Sequence, residues 1–355
     1  MKPVSRSLVL VVALAALAAS KPPPPPHRHA APLSHADNQR VLMGATLTGI
    51  VESRADSATG GRALEAMFDE VARLDTILAA ANSTTELARL NRLSASQRFA
   101  CSPELYAAID SALALAAETD GAYDPSVGAL TRLWPPAGSV AAPDAGAIAD
   151  ARSRVSWRAV LREPMSRVVR LRRAGLTLDL EGVARGFALD RAQATLRGLG
   201  ISRALLDWGD EALAMTNREP WKWPIAYPGD PARGAFQVAI SNAAIATAAT
   251  ADARAGTSRE AWSGSPARIF DPRTGMPVRG AASVTVVASS ACRAGALAIG
   301  LRVMGRERAA EFALAHPELA VLWLEPDVDG LNAWGWNLPA LAPDSGVVVR
   351  WKTRL

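Results

Sequence analysis

The sequence predicts an α+β fold, a single domain in which helices pack on mixed sheets. Helical and strand-like segments follow one another irregularly, without the strict strand–helix–strand alternation of a parallel α/β sheet. Of 355 residues 49% are hydrophobic and 21% charged, enough apolar surface for a sizeable core.

Across residues 61–80, Leu64, Met67, Phe68, Val71, Leu74 and Leu78 recur at helical spacing and share one face. Pro103 opens a second helix, where a missing N–H costs nothing, and the apolar positions Leu105, Ile109 and Leu113 carry it to a stop at Gly121. Residues 168–180 read as two short strands around the turn Arg173-Ala174-Gly175. A helix follows over 182–199, then a strand over 204–208. Residues 283–288 alternate and are β-rich, 294–315 read as one helix, and 319–324 return as a strand.

The chain starts with Lys2 and Arg6, an apolar run from Leu8 to Ala18, and the small residues Ala19 and Ser20. This is the pattern of a secretory signal over residues 1–20, and the run is short for a membrane span. Export is therefore expected, with periplasmic residence in a cell of two membranes. Ser20 stands where a lipid-anchored protein needs cysteine, so no anchor is expected there. Residues 21–38, with prolines from Pro22 to Pro26, read as an extended tether. The folded domain is expected over 39–340 and a C-terminal tail over 341–355.

The net charge of +5 comes almost wholly from scattered arginines, and no nucleic-acid motif accompanies them, so a nucleic-acid partner is not expected. The histidines are His27, His29, His35 and His316, which leaves a serine- or cysteine-dependent hydrolase almost nothing for its base. There is no Cys-x-x-Cys, zinc-type histidine cluster, Walker loop or Gly-x-Gly-x-x-Gly. Cys101 and Cys292 are free to pair in an oxidising compartment, but their separation in sequence does not establish contact.

One stretch has the makings of an anion site. Gly182 and Gly186 open a helix directly after a strand, where free N–H groups and the positive helix end suit a pyrophosphate. Asp179 just ahead suits a hydroxyl or ring N–H. The same residues also fit plain glycine packing beside a capping aspartate. Asp271-Pro272-Arg273-Thr274-Gly275 is by itself a turn, and Gly121 to Asp124 by itself a helix stop.

Four segments in order resemble the FAD:protein FMN transferases of the ApbE type. They are Met43-Gly44-Ala45-Thr46, Gly121-Ala122-Tyr123-Asp124-Pro125-Ser126-Val127-Gly128, Leu178-Asp179-Leu180-Glu181-Gly182-Val183-Ala184-Arg185-Gly186-Phe187-Ala188-Leu189-Asp190, and Ile269-Phe270-Asp271-Pro272-Arg273-Thr274-Gly275-Met276-Pro277. Glu86-Leu87-Ala88-Arg89-Leu90-Asn91 also fits, and the resemblance runs over about residues 40–325. It implies an enzyme that binds FAD as substrate with Mg2+, moves FMN to a threonine of an acceptor protein and releases AMP. The acceptor is by that resemblance a subunit of a membrane redox complex; some family members instead hydrolyse FAD. FAD contacts are implied at Met43, Ala122, Tyr123, Asp124, Asp179, Arg185 and Ile269, and a metal contact at the backbone carbonyl of Gly182. No catalytic residue is assigned.

The departures from the family pattern cluster at the chemistry. Gly295 and Ile299 stand where the family has an aspartate and a threonine, and magnesium needs oxygen ligands that neither side chain supplies. Arg268 stands for a histidine, Arg185 for a lysine and Ala81 for an aromatic residue. Thr247-Ala248-Ala249 replaces Thr-Ser-Gly, and Gly209-Asp210 a glycine pair. Two readings follow. The site is rebuilt, with Arg185 and Arg268 neutralising the pyrophosphate while Glu181, Asp210 or Glu211 offers oxygens to a metal held elsewhere; or the fold persists as a flavin-binding protein without turnover.

Overall fold

The computed structural model describes residues 33–53, 56–79, 82–134, 142–249, 269–338, 341–343 and 347–354. The expected leader, most of the expected tether, Ala81 and Arg268 lie outside these residues.

Nine strands make one sheet, in the order β1 (Ser34–Leu42), β2 (Ala45–Ser53), β6 (Ala204–Asp207), β7 (Glu211–Met215), β10 (Ala243–Ala249), β13 (Ser283–Ala288), β14 (Ala320–Asp327), β15 (Gly330–Trp336) and β17 (Val349–Arg354). Neighbours are antiparallel except β15 and β17, whose parallel pairing makes the sheet mixed. A smaller sheet of β8 (Trp221–Tyr227), β9 (Asp230–Ile240) and β16 (Leu341–Pro343) supplies a second layer. The strands β3 (Phe99–Ala100), β4 (Val160–Glu163) and β5 (Val168–Leu171) form a third sheet, and β11 (Phe270–Asp271) with β12 (Met276–Pro277) a hairpin. The helices are α1 (Ser57–Leu78), α2 (Glu86–Asn91), α3 (Pro103–Glu118), α4 (Gly128–Leu133), α5 (Ala145–Ser153), α6 (Glu181–Gly198), α7 (Ala291–Met304) and α8 (Arg306–Ala315). None of them is long and apolar enough to cross a membrane.

Period-two alternation divides the sheet's side chains between two cores. Leu206, Trp208, Leu213, Val284, Val286 and Trp323 join the cluster that includes α1, α3, α6 and α7. Leu205, Ala212, Ala214, Leu322 and Leu324 join Trp223, Phe236 and Val238 of the small sheet. The main sheet is thus buried on both faces along these strands.

The expected helices form for the reasons their sequences give. The stripe from Leu64 to Leu78 buries one face of α1, and the Asp56 carboxylate caps that helix by accepting from Thr59 N–H at 2.7 Å. Ser102 caps α3, and the buried Glu86 of α2 accepts from both its N–H (2.7 Å) and its hydroxyl (2.5 Å), fastening α2 to α3.

Three expectations need correction. Only the first half of 168–180 is a strand, because residues 176–180 hydrogen-bond to side chains and a loop rather than to a sheet. Leu178 N–H and carbonyl are both taken by the Asn91 amide (2.7 and 2.8 Å), Asp179 N–H donates to Pro125 O (2.7 Å), and Thr177 makes an isolated bridge to Val127. The helix over 294–315 is two helices, because Gly305 at φ 82° turns the backbone into a region that closes one helix and starts the next. The residues expected as a tail contain β16 and β17, and β1 begins at Ser34, inside the expected tether.

Candidate functional site

A cleft of about 770 Å³, its open mouth included, lies where the first turn of α6 meets α7 above β7 and β10. Ala122, Tyr123 and Asp124 enter it from the turn after α3, where Gly121 N–H closes the helix on Ala116 O at 2.7 Å. Asp179, Gly182 and Arg185 enter from α6 and the segment before it, and Ile269 and Phe270 from the start of the β11–β12 hairpin. Met43, expected beside them, is not among the lining residues. It sits in the β1–β2 turn at φ 45°, its N–H bonded to Asp75 Oδ2 at 3.1 Å.

Asp179 is doubly held. Its Oδ1 accepts from Glu181 N–H at 3.0 Å and its Oδ2 from the Thr131 hydroxyl at 2.7 Å. Because Asn91 pins Leu178 and Pro125 pins the Asp179 backbone, this carboxylate is fixed before any ligand arrives. Asp124 accepts from Ser126 N–H and hydroxyl and from Trp157 N–H; burial pushes its carboxyl up despite those bonds. The residues 271–275 form the expected turn, with Gly275 N–H bonded to Asp271 O at 2.8 Å and Arg273 N–H to Asp271 Oδ1 at 2.9 Å.

Gly182 is glycine because a Cβ there would stand 2.7 Å from both Ile299 Cδ1 and Tyr123 Cε2. Across the cleft floor, a Cβ on Gly295 would stand 2.8 Å from Gly182 O and 3.5 Å from Glu211 Oε1. Backbone therefore meets backbone where α6 and α7 cross.

The charged centre is an arginine between two carboxylates. Arg185 Nη1 pairs with Asp210 Oδ1 at 2.7 Å, and Nη2 with Glu211 Oε1 at 3.2 Å. Burial acts against the guanidinium charge, yet Glu211 and Asp210 outweigh it and hold the group above its ordinary pKa. At Glu211 the balance runs the other way: burial outweighs the pull of Arg185 and pushes the carboxyl up to about 7. Its Oε2 is buried without a hydrogen-bond partner.

The ApbE family model matches residues 43–323. The chain belongs to the ApbE family. It is 29% identical over 299 residues to the FAD:protein FMN transferase of Treponema pallidum, covering 78% of this chain and 81% of that protein. It is 29% identical over 325 residues to the FAD:protein FMN transferase of Klebsiella pneumoniae, covering 85% and 89%. The solved flavin transferase ApbE from Vibrio cholerae is similar with a TM-score of 0.73 at 26% identity, covering 86% of this chain and 98% of that one. The α+β architecture is that of these structures.

The magnesium ion that the family resemblance implies does not fit the residues present. Gly295 offers no side chain, Ile299 offers a methyl group, and the Gly182 carbonyl fills the space beside Gly295. Among the described residues no group of three or more His, Cys, Asp or Glu is placed to hold a metal. The oxygens left open at this crossing are Glu211 Oε2, buried without a partner, and the Gly182 carbonyl, and α7 adds no side-chain ligand at Gly295 or Ile299. Asp210 and Glu211, weighed from sequence as metal ligands, hold Arg185 instead.

Thr131 escaped the sequence reading, because its bond to Asp179 spans 48 residues with no local pattern to mark it. Cys101 and Cys292 are both free and buried.

Proposed function

We propose that this ApbE-family protein is an FAD:protein FMN transferase. The reading is carried by the convergence of Tyr123, Asp179, Arg185 and Ile269, from separate parts of the chain, on one cleft at the start of α6. FAD would lie with its diphosphate at the α6 N-terminus, beside the Asp179 carboxylate that takes the Glu181 N–H. An acceptor hydroxyl, a threonine by family resemblance, would attack the phosphorus on the FMN side. The new bond is threonine oxygen to phosphorus, the bond that breaks joins that phosphorus to the AMP oxygen, and AMP carries the electron pair away. The threonine proton must pass to a base.

By the same resemblance the acceptor is a flavin-carrying subunit of a membrane redox complex. The signal pattern of residues 1–20 supports export, to the periplasm in a cell with two membranes, without a lipid at Ser20. A second reading, a flavin-binding member without turnover, is favoured by Gly295 and Ile299 in place of metal-ligating side chains.

The deciding assay incubates the protein with FAD and a threonine-containing acceptor domain. AMP released together with flavin covalently bound to the acceptor is the expected result. AMP without flavinylation identifies an FAD hydrolase. FAD bound without AMP release identifies the non-catalytic member.

A further inference from the structure

We propose that the cleft binds the diphosphate of FAD without a divalent metal, with the Arg185 guanidinium serving as the fixed cation at the α6–α7 crossing. This rests on the reading of the cleft as an FAD site, and it follows from what has replaced the missing ligands.

Glu211 reaches in from β7, and its Oε1 lies 3.5 Å from where a Cβ on Gly295 would be. A carboxylate is therefore still present beside position 295, delivered by a strand instead of by α7. What it binds is Arg185 Nη2, at 3.2 Å. Asp210 takes Nη1 at 2.7 Å, and the Trp208 carbonyl accepts from the same nitrogen at 3.4 Å. These contacts engage both terminal nitrogens and leave Nε–H without a partner among the described residues. The guanidinium is thus oriented by its neighbours while still lining the cleft, 18% exposed.

A guanidinium does this task differently from a metal ion. It is tethered to the chain, stays protonated at any working pH, and presents planar N–H donors to phosphate oxygens. A divalent ion entering the same place would have to displace a tethered cation from both carboxylates. While Arg185 holds those carboxylates, the oxygens open to such an ion are Glu211 Oε2 and the Gly182 carbonyl, with the Ile299 methyl against Gly182. The first turn of α6, whose Glu181 and Gly182 line the cleft, adds its partial positive charge on the same side, although the Asp179 carboxylate already takes the Glu181 N–H.

The test is a titration of the folded full chain with FAD, followed by flavin fluorescence, in EDTA and in excess magnesium chloride. Affinity within about twofold in the two buffers is expected. Arg185→Gln, shown folded by its circular dichroism, is expected to bind FAD at least about tenfold more weakly in EDTA and to gain a magnesium response, because Asp210 and Glu211 are released. Tightening of the unaltered protein by about tenfold or more on adding magnesium overturns the inference and leaves the FAD reading standing. Arg185→Gln binding as tightly as the unaltered protein in EDTA also overturns it. No FAD binding in either buffer removes the FAD reading and the inference with it.

Discussion

A Cβ on Gly295 would lie 2.8 Å from the carbonyl oxygen of Gly182, so the two helices that frame the cleft touch through backbone. The absent carboxylate at position 295 has left no vacancy of its own size. The α6 carbonyl lies against α7, and Glu211 of β7 holds the carboxylate nearest that point.

Gly295→Asp therefore does not simply restore a family ligand. The new Cβ collides with a peptide carbonyl, which cannot swing aside as a side-chain tip can. The variant is expected to be less stable by about 1–3 kcal/mol, the usual cost of overpacking a core. FAD binding should show no new magnesium dependence. Thermal unfolding and FAD titration with and without magnesium check both parts, and a stable variant with a strong magnesium response would contradict them.

Asp179 is fixed by bonds from Thr131 and Glu181 before ligand binding, so its role is separable from its folding contribution. Asp179→Ala is expected to weaken FAD binding by about tenfold, or about 1.4 kcal/mol. Asp179→Asn keeps an acceptor for the Glu181 N–H and should retain more of the stability. Unchanged FAD affinity in the alanine variant would take Asp179 out of the site.

The parts legible in the sequence were those in which a local pattern decides the structure. The stripe of α1, the Pro103 start of α3 and the Asp271–Gly275 turn were readable because propensity and contact agree there. Residues 176–180 looked like a strand, but their hydrogen bonds go to Asn91 and Pro125, partners no local pattern announces. The strand β8 carries Pro224, β9 carries Pro231, and Pro228 and Gly229 lie between them, which hid a strand pair. In the site, motif segments marked Tyr123, Asp179 and Arg185. That Glu211 would face Gly295 depends on how β7 passes beneath α7, which only the assembled sheet reveals.

Cys101 and Cys292 are both free and buried, and burial pushes the Cys101 thiol up to about 12 and raises that of Cys292 as well. Neither will be thiolate near neutral pH. Native protein is expected to react with a thiol reagent only as fast as it opens, and both thiols should titrate at once in denaturant. A single disulfide, seen as no reactive thiol in denaturant, would contradict the arrangement.

Glu211 gives the cleft a pH-dependent stability whose sign is fixed by the direction of its shift. Burial raises its carboxyl from an ordinary 4.5 to about 7 in the fold, so the folded state binds the proton more tightly than the unfolded chain does. The resulting stabilisation is complete below the ordinary value and is lost as pH rises through about 7. Glu211→Gln stays neutral throughout and should escape that loss. Relative to it, the unaltered protein is expected to lose up to about 3 kcal/mol of stability between about pH 4.5 and 8. Other groups titrate in both proteins, so the difference between their melting temperatures across this range isolates Glu211. A difference that does not change with pH would mean that Arg185 keeps Glu211 ionised throughout, and that attraction, not burial, governs the pair.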